Sequence, residues 1–145
     1  MTKVSINLLT YNGEKYLHDC FNSILAQDYK NFALLIIDNN SSDNSAEIIK
    51  KFQTKFADSQ IDFRFIQNKK NLGFIKGHNQ AIELSDSKYI LVLNQDLILA
   101  ENYLKKIVEF MESCPDCGSA TGKILRLTNK QKIDIIDLLK LKILD

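Results

Sequence analysis

The chain has 145 residues, 45% of them hydrophobic and 26% charged, enough for one domain to bury a core without cross-links. A formal net charge of +1 excludes a long-range field that would recruit nucleic acid or an anionic membrane, so any anion has to be bound locally. The longest apolar runs, 34–37 and 89–93, fall far short of the ~20 residues that a membrane-spanning helix needs.

In chain order, Val4, Ile6 and Leu8 alternate with Ser5 and Asn7, which predicts a strand over 3–9. Thr10-Tyr11-Asn12-Gly13 breaks it. Leu17, Cys20, Phe21, Ile24 and Leu25 then follow the spacing of an amphipathic helix over 14–27, with Asn12 as its expected cap. Residues 32–37 are apolar almost throughout, as in a strand covered on both faces, and stop at Asp38-Asn39-Asn40-Ser41-Ser42-Asp43. A helix over 45–56 follows, with Asn44 and Glu47 at capping-box spacing and Ala46, Ile49, Phe52 and Phe56 as its buried face. A third strand over 61–66 ends in a polar run over 67–71. Gly73 opens a helix that carries Phe74, Ile75, His78, Ala81 and Ile82 on one face, and His78 there reads as a satisfied buried histidine. A fourth strand, 89–93, runs into Asn94-Gln95-Asp96. A helix over 101–113 should bury Leu104, Ile107, Val108 and Met111, and 120–127 reads as a fifth strand. Residues 133–144 are amphipathic and Leu-rich, with Asp134 and Asp137 on the polar side.

Three cysteines without signal-peptide architecture point to a reducing compartment. Cys114-Pro115-Asp116-Cys117 has redox-motif spacing, but it follows a helical pattern and reads as a turn. Cys20, His18 and His78 are too scattered for a closed zinc site.

Strand and helix alternate without repeats or a linker, so the fold class expected is α/β, a mostly parallel sheet flanked by helices, in one domain over 1–145. Such sheets bind ligands beyond the carboxyl ends of their strands. Four strand ends carry polar clusters there: Thr10-Tyr11-Asn12, Asp38-Asn39-Asn40, Lys69-Lys70-Asn71 and Asn94-Gln95-Asp96. A carboxylate directly after a buried strand, as Asp96 is, can hold Mg2+ or Mn2+ whose remaining ligands are phosphates and waters. Its structural alternative is a cap on the next turn. Gly73-Phe74-Ile75-Lys76-Gly77 is neither a Walker loop nor a dinucleotide fingerprint, and its glycines serve helix packing equally well.

From Val4 to about Leu127 the chain resembles bacterial family-2 glycosyltransferases of the GT-A (Rossmann-like) fold, in particular their rhamnosyltransferase-like branch. The segments that carry the resemblance are Val4-Ser5-Ile6 through Gly13, Ser23-Ile24-Leu25-Ala26-Gln27, Ile36-Ile37-Asp38 through Asp43, Asn71-Leu72-Gly73-Phe74 through Gly77-His78-Asn79, and Leu93-Asn94-Gln95-Asp96. The resemblance implies that Thr10 and Tyr11 line a base pocket and that Asp38 and Asn39 serve base and ribose. It adds Asn12, Asn71, Gly73, Asn79, Asn94 and Gln95 to the nucleotide site and makes Asp96, in the family's DXD position, the metal ligand. Asn94 stands for the first Asp of that motif and Asn39 for a second Asp of many relatives, which favours a dTDP-rhamnose donor over a UDP-sugar. The implied reaction is transfer of the sugar, with inversion, to a glycan or lipid-linked acceptor, and the implied location is cytoplasmic, with the inner face of the cell membrane as an alternative. The acceptor half and the general base of relatives lie beyond the fifth strand, so the chain is expected to lack them, to bind no nucleic acid, and to self-associate or recruit a second chain through 133–144. A non-catalytic nucleotide-sugar-binding or interaction domain is the competing reading. A flavodoxin-like receiver or nucleotidyltransferase leaves Tyr11-Asn12-Gly13 and Asn94-Gln95-Asp96 without a purpose.

Overall fold

The computed structural model of the protein describes residues 2–125. Strands β1 (Val4–Thr10), β2 (Phe32–Asp38), β3 (Asp62–Gln67) and β4 (Tyr89–Asn94) alternate with helices α1 (Glu14–Leu25), α2 (Ser45–Asp58), α3 (Gly73–Glu83) and α4 (Tyr103–Ser113). The sheet order is β3-β2-β1-β4, and every pairing is parallel. This is the α/β architecture expected, a parallel sheet with helices on both faces.

The pleat assigns the residues to the two faces. Val4, Ile6 and Leu8 of β1, with Phe32, Leu34 and Ile36 of β2 and Leu93 of β4, face α1, α2 and α4 and form the main core. Phe21, Phe52, Phe56 and Phe63 meet inside it, the Phe21 and Phe52 rings at 5.1 Å and the Phe56 and Phe63 rings stacked at 5.3 Å. Leu9, Leu35 and Ile37 point the other way and are covered by α3 through Ala81. Gly77 is what lets α3 lie so close, because a Cβ there would stand 2.6 Å from a methyl of Leu9.

Several expectations are corrected. β1 runs over Val4–Thr10, one residue on from the 3–9 expected, and all seven of its residues are buried. Ser5 and Asn7 face α3, where Ser5 Oγ donates to Asn7 Oδ1 at 2.8 Å and Ser85 Oγ donates to the same oxygen at 3.0 Å. A central strand has neighbours on both sides and helices on both faces, so its small polar residues go inside, where Asn7 Oδ1 is bonded twice while Asn7 Nδ2 has no partner among the described residues. The apolar face expected for α3 is not buried as a face. Phe74 and Ile75 are 62% and 73% exposed, and Ile82 is exposed too, while Gly77, His78 and Ala81 make the contact. A close glycine contact turns the helix so that its smallest residues, not its largest, meet the sheet. In α2 the buried set is Ser45, Ile48, Ile49, Phe52 and Phe56, with Ala46 only half-buried, and in α4 only Leu104 and Val108 are fully buried. Residues 120–125 form no strand, only a single bridge at Thr121; 126–127 lie outside the described residues, as do Asp134, Asp137 and the amphipathic 133–144 segment. The turn at Cys114–Cys117 is present, with Cys117 N donating to Cys114 O at 2.9 Å, and the two cysteines are joined by a disulfide, a bond the turn reading did not anticipate. Among the described residues no helix is long and apolar enough to cross a membrane.

Candidate nucleotide-sugar site

The sheet register lines up the strand ends. Thr10 pairs with Asp38, Asp38 with Gln67, and Leu9 with Asn94, so the last residues of all four strands form one row at the carboxyl edge. Each loop leaving that row carries one of the polar clusters singled out in the sequence.

Gln95 ties the β1 and β4 loops together. Its Oε1 accepts from Thr10 Oγ1 at 2.5 Å and from Tyr11 N at 3.0 Å, and its Nε2 donates to Tyr11 O at 3.3 Å. Gly13 is required beside this bracket, since a Cβ there would run into Gln95 Oε1 and Thr10 Oγ1. The bracket leaves the Tyr11 ring exposed at the rim.

Asn39 is a second bracket, between β2 and the start of α3. Its Nδ2 donates to Asn71 Oδ1 at 2.8 Å and Gly73 O at 3.2 Å, while its Oδ1 accepts from Leu72 N at 2.9 Å and Asn68 Nδ2 at 3.2 Å. Asn71 Oδ1 also accepts from Gly73 N at 2.7 Å, and Gly73 supplies the positive φ of 80° that the turn needs. Asp38 is fully buried; its carboxylate accepts from Ser41 N and Oγ and, at 3.1 Å, from Gln67 Nε2. Thr10, Asp38, Asn39, Asn71 and Gln95 therefore hold the loops in place through their side chains. Tyr11, Asn94 and Asp96 remain exposed at the row's end, and Asp96 makes no side-chain hydrogen bond among the described residues. Asn79 is exposed on α3 and takes no part in either bracket.

The helix caps expected from sequence are not the ones used. Neither Asn12 nor Asn44 caps its helix with its side chain. Asn12, at φ 49°, turns its Oδ1 to Ser42 N at 2.9 Å. The first turns of α1 and α2 cap each other: Asp43 Oδ2 accepts from Glu14 N at 3.0 Å, and Glu14 accepts from Asn44 N at 3.2 Å and Nδ2 at 2.8 Å. Asp43 Oδ1 also accepts from Ser45 Oγ at 2.5 Å and Ser45 N at 3.0 Å. Gln27, fully buried at the end of α1, accepts from Leu104 N at 3.0 Å in the first turn of α4. Side chains brought by the tertiary fold thus satisfy orphan amides at the starts of α1 and α4, while Asp43 and Asn71, each two residues away in the chain, serve Ser45 N and Gly73 N. Glu14, Gln27, Ser41, Ser45 and Asn68 matter for this reason, and only proximity in space could have found them.

Burial pushes the Asp43 carboxyl up, but hydrogen bonds from Ser45 and from the amides of Glu14 and Ser45 outweigh it and hold Asp43 below the usual carboxylate range. A depressed folded pKa gives stability that is present above the unfolded value, about 3.9, and is lost as pH falls through the folded one. Asp43→Asn is therefore expected to lower the melting temperature at pH 7 by a few degrees, about 1 kcal/mol for a lost cap, with the difference from wild type shrinking below about pH 4. Thermal melts of both proteins between pH 2 and 7 check it; a difference that stays constant over that range contradicts the capping role.

Asp96 lies near enough to α1 to act on Cys20, whose thiol is pushed up to about 12 by burial first and by the Asp96 charge second. Among the described residues no three His, Cys, Asp or Glu side chains gather as a metal cage. One exposed carboxylate at a strand end is the donor set of a hydrated Mg2+ or Mn2+ that takes its other ligands from phosphate and water, and Asp96 fits it.

A parallel sheet of this strand order, flanked by helices and with a braced polar rim at its strand ends, is the architecture of the GT-A, Rossmann-like class. The profile of "Glycosyl transferase family 2" matches residues 5–135, and the chain belongs to that family. It is 38% identical over 115 residues to an uncharacterized glycosyltransferase of Methanocaldococcus jannaschii, covering 78% of this chain and 38% of that protein. It is 29% identical over 130 residues to a poly-beta-1,6-N-acetyl-D-glucosamine synthase of Staphylococcus epidermidis, covering 90% and 30%. In fold it is similar to S. aureus TarS in complex with UDP-GlcNAc, at TM-score 0.74 and 24% identity over 90% of this chain and 36% of that one. It is also similar to the Pyrobaculum calidifontis mannosyltransferase PcManGT in complex with GDP-Man and Mn2+, at TM-score 0.76 and 16% identity over 86% and 36%. The chain thus spans well under half the length of these relatives.

Proposed function

We propose that this chain is the donor-binding part of a glycosyltransferase, holding a nucleoside-diphosphate sugar together with Mg2+ or Mn2+ at the rim formed by the four strand ends. The observation that carries the reading is the row of strand ends, Gln67, Asp38 and Thr10 in register and Asn94 opposite Leu9, with the exposed Asp96 carboxylate just beyond it. Family membership supports it, as does the likeness in fold to proteins solved with UDP-GlcNAc and with GDP-Man and Mn2+.

In this reading the exposed Tyr11 ring and Thr10 border the base, while Asp38 and Asn39 shape the base and ribose pocket by fixing Ser41, Asn71 and Gly73. Asn12 and Asn79 contribute from the loop and helix beside it, and Asn94 and Gln95 flank the diphosphate. The amino end of α3, which follows β3, sets positive partial charge toward the anion, whereas those of α1 and α2 are already met by the Asp43 and Glu14 carboxylates. A divalent cation at Asp96 would stabilise the charge on the departing diphosphate. The reaction is transfer of the sugar to a hydroxyl of a glycan or lipid-linked acceptor with inversion, and no residue among those described is assigned as its general base. The donor base is the finer question. Asn39 and Asn94 favour dTDP-rhamnose, whereas the UDP-GlcNAc complex of TarS favours a uridine donor. The expected location is cytoplasmic, with the inner face of the cell membrane as the alternative.

Calorimetry with UDP and dTDP, each with Mn2+ and with EDTA, tests the reading. Metal-dependent binding of one nucleotide at least tenfold tighter than the other is expected. Equal affinity in EDTA removes the role of Asp96, and no binding of either removes the proposal.

A further inference from the structure

The loop from β3 into α3 carries a surface that the donor site has not used. Phe74 and Ile75 are adjacent in the first turn of α3, large and apolar, yet 62% and 73% exposed. They do not hang from a loose end. The four hydrogen bonds of Asn39 hold the loop before them, Gly73 turns the chain at φ 80°, and the contact of Gly77 with Leu9 fixes which side of the helix faces out. The Phe74 ring also meets His78 edge-on, at a centroid distance of 4.4 Å, and that imidazole is buried without a hydrogen-bond partner, not satisfied as the sequence suggested. Lysines flank the pair in the same loop and turn. Lys69, Lys70 and Lys76 are all exposed, and none takes part in an ion pair or side-chain hydrogen bond among the described residues. Residues 63–82 contain these three and Arg64 but no Asp or Glu, so in a chain of net charge +1 the rest is net acidic. Single exposed apolar side chains are ordinary, whereas an adjacent pair held outward and bordered by unpaired cations is a contact surface.

The chemistry selects the partner. Lysine is depleted from protein interfaces, and Ile75 offers no ring face on which a nucleic-acid base could stack. An apolar tip with a cationic border matches the boundary between acyl chains and anionic headgroups. There each lysine adds a local attraction, its methylene stem lying along apolar surface while the ammonium stays in water. We propose that Phe74 and Ile75 insert into the headgroup boundary of an anionic bilayer and are held there by Lys69, Lys70 and Lys76. The attachment is short-range and reversible, because a net charge of +1 supplies no long-range pull and two apolar side chains are a small anchor. Asn39, the residue after β2, bonds Gly73 O, so the tip stands at the carboxyl edge of the sheet and its attachment turns that edge to the bilayer. That a lipid-linked acceptor would there meet a sugar donor rests on the donor-site reading above; the docking itself does not.

Sedimentation of the full chain, without nucleotide or metal, with vesicles of phosphatidylcholine alone and of equal parts phosphatidylcholine and phosphatidylglycerol tests the docking. Binding to the anionic vesicles only is expected, weakening as salt rises from about 0.1 M to about 1 M and the screening length falls from about 10 Å to about 3 Å. Phe74→Ser combined with Ile75→Ser should lower partitioning about tenfold or more, and Lys69→Gln, Lys70→Gln and Lys76→Gln about fivefold each. Ile75→Ser alone leaves the ring contact of Phe74 with His78 in place, so it should keep the wild-type melting temperature and still weaken binding. The chain has no Trp, so Ile75→Trp supplies a single indole whose emission should shift to the blue on anionic vesicles. Equal binding to both vesicle types, an emission that does not shift, or binding that the changes at Phe74 and Ile75 leave intact overturns the proposal. A dimer that Ile75→Ser dissolves overturns it too, since a second copy then covers the tip. Absence of binding to either vesicle overturns the docking whatever calorimetry finds for UDP and dTDP, and anionic-vesicle binding lost in Ile75→Ser supports it even where both nucleotides fail.

Discussion

Asp96→Ala is expected to abolish metal-dependent nucleotide binding, a loss on the order of 100-fold or more, while leaving the melting temperature within about a degree of wild type. The asymmetry follows from where the carboxylate sits. Asp96 is exposed, caps nothing and makes no side-chain hydrogen bond among the described residues, and surface substitutions of that kind stay within about 0.5 kcal/mol. Its loss removes the one protein carboxylate offered to the cation, and changes even to the groups behind a metal ligand typically cost 10–100-fold in affinity. Nearby Cys20 adds a second readout, because the Asp96 charge is one of the two causes that raise its thiol. Calorimetry with Mn2+ and a thermal melt without ligand separate the outcomes. A variant that unfolds, or one that binds nucleotide as tightly as wild type, contradicts the metal role.

Asn39→Ala is expected to act in the opposite way, through the fold. The side chain is 2% exposed and makes four hydrogen bonds that join β2 to the turn before α3. Without it the amide of Leu72 loses its acceptor and the side chain of Asn71 one of its two partners, and a buried group left unpaired costs about 1–3 kcal/mol. A destabilisation of about 2–4 kcal/mol, seen as a fall of about 5–15 °C in melting temperature, should come with loss of nucleotide binding as the Gly73 turn loosens. Asn39→Asp keeps the acceptor for Leu72 N but sets a carboxylate against Asn71 Oδ1 and Gly73 O, so it should also destabilise. Urea denaturation of the three proteins checks the order. If Asn39→Asp proves as stable as wild type, the bracket is not what holds the turn.

The alternation of the chain and the strand ends that carry polar clusters were legible because each is local. An apolar run of six residues followed abruptly by Asn and Asp is a strand end whatever surrounds it, and a parallel sheet sends every such end to one edge. Periodicity also placed Leu17, Phe21 and Ile24 of α1 and Ile49, Phe52 and Phe56 of α2 in the core, where they are. The resemblance in the motifs pointed to the right family, with the branch and the donor left to experiment.

The tertiary structure decided what depends on a neighbour from elsewhere in the chain. Asn12 and Asn44 have the chemistry of caps, Asn44 at the cap position of α2 and Asn12 one residue before that of α1, yet Asp43, Glu14 and Gln27 do the capping, because a carboxylate or amide delivered across a loop can reach the open amides as well as the local residue can. The face of α3 was misread for a related reason. Hydrophobic spacing tells which residues would gain from burial, but Gly77 against Leu9 sets how the helix lies, and that contact leaves Phe74 and Ile75 in the open and shuts His78 in. Side-chain chemistry is written residue by residue, whereas burial and hydrogen-bond partners belong to pairs, and distant pairs form only when the chain has folded.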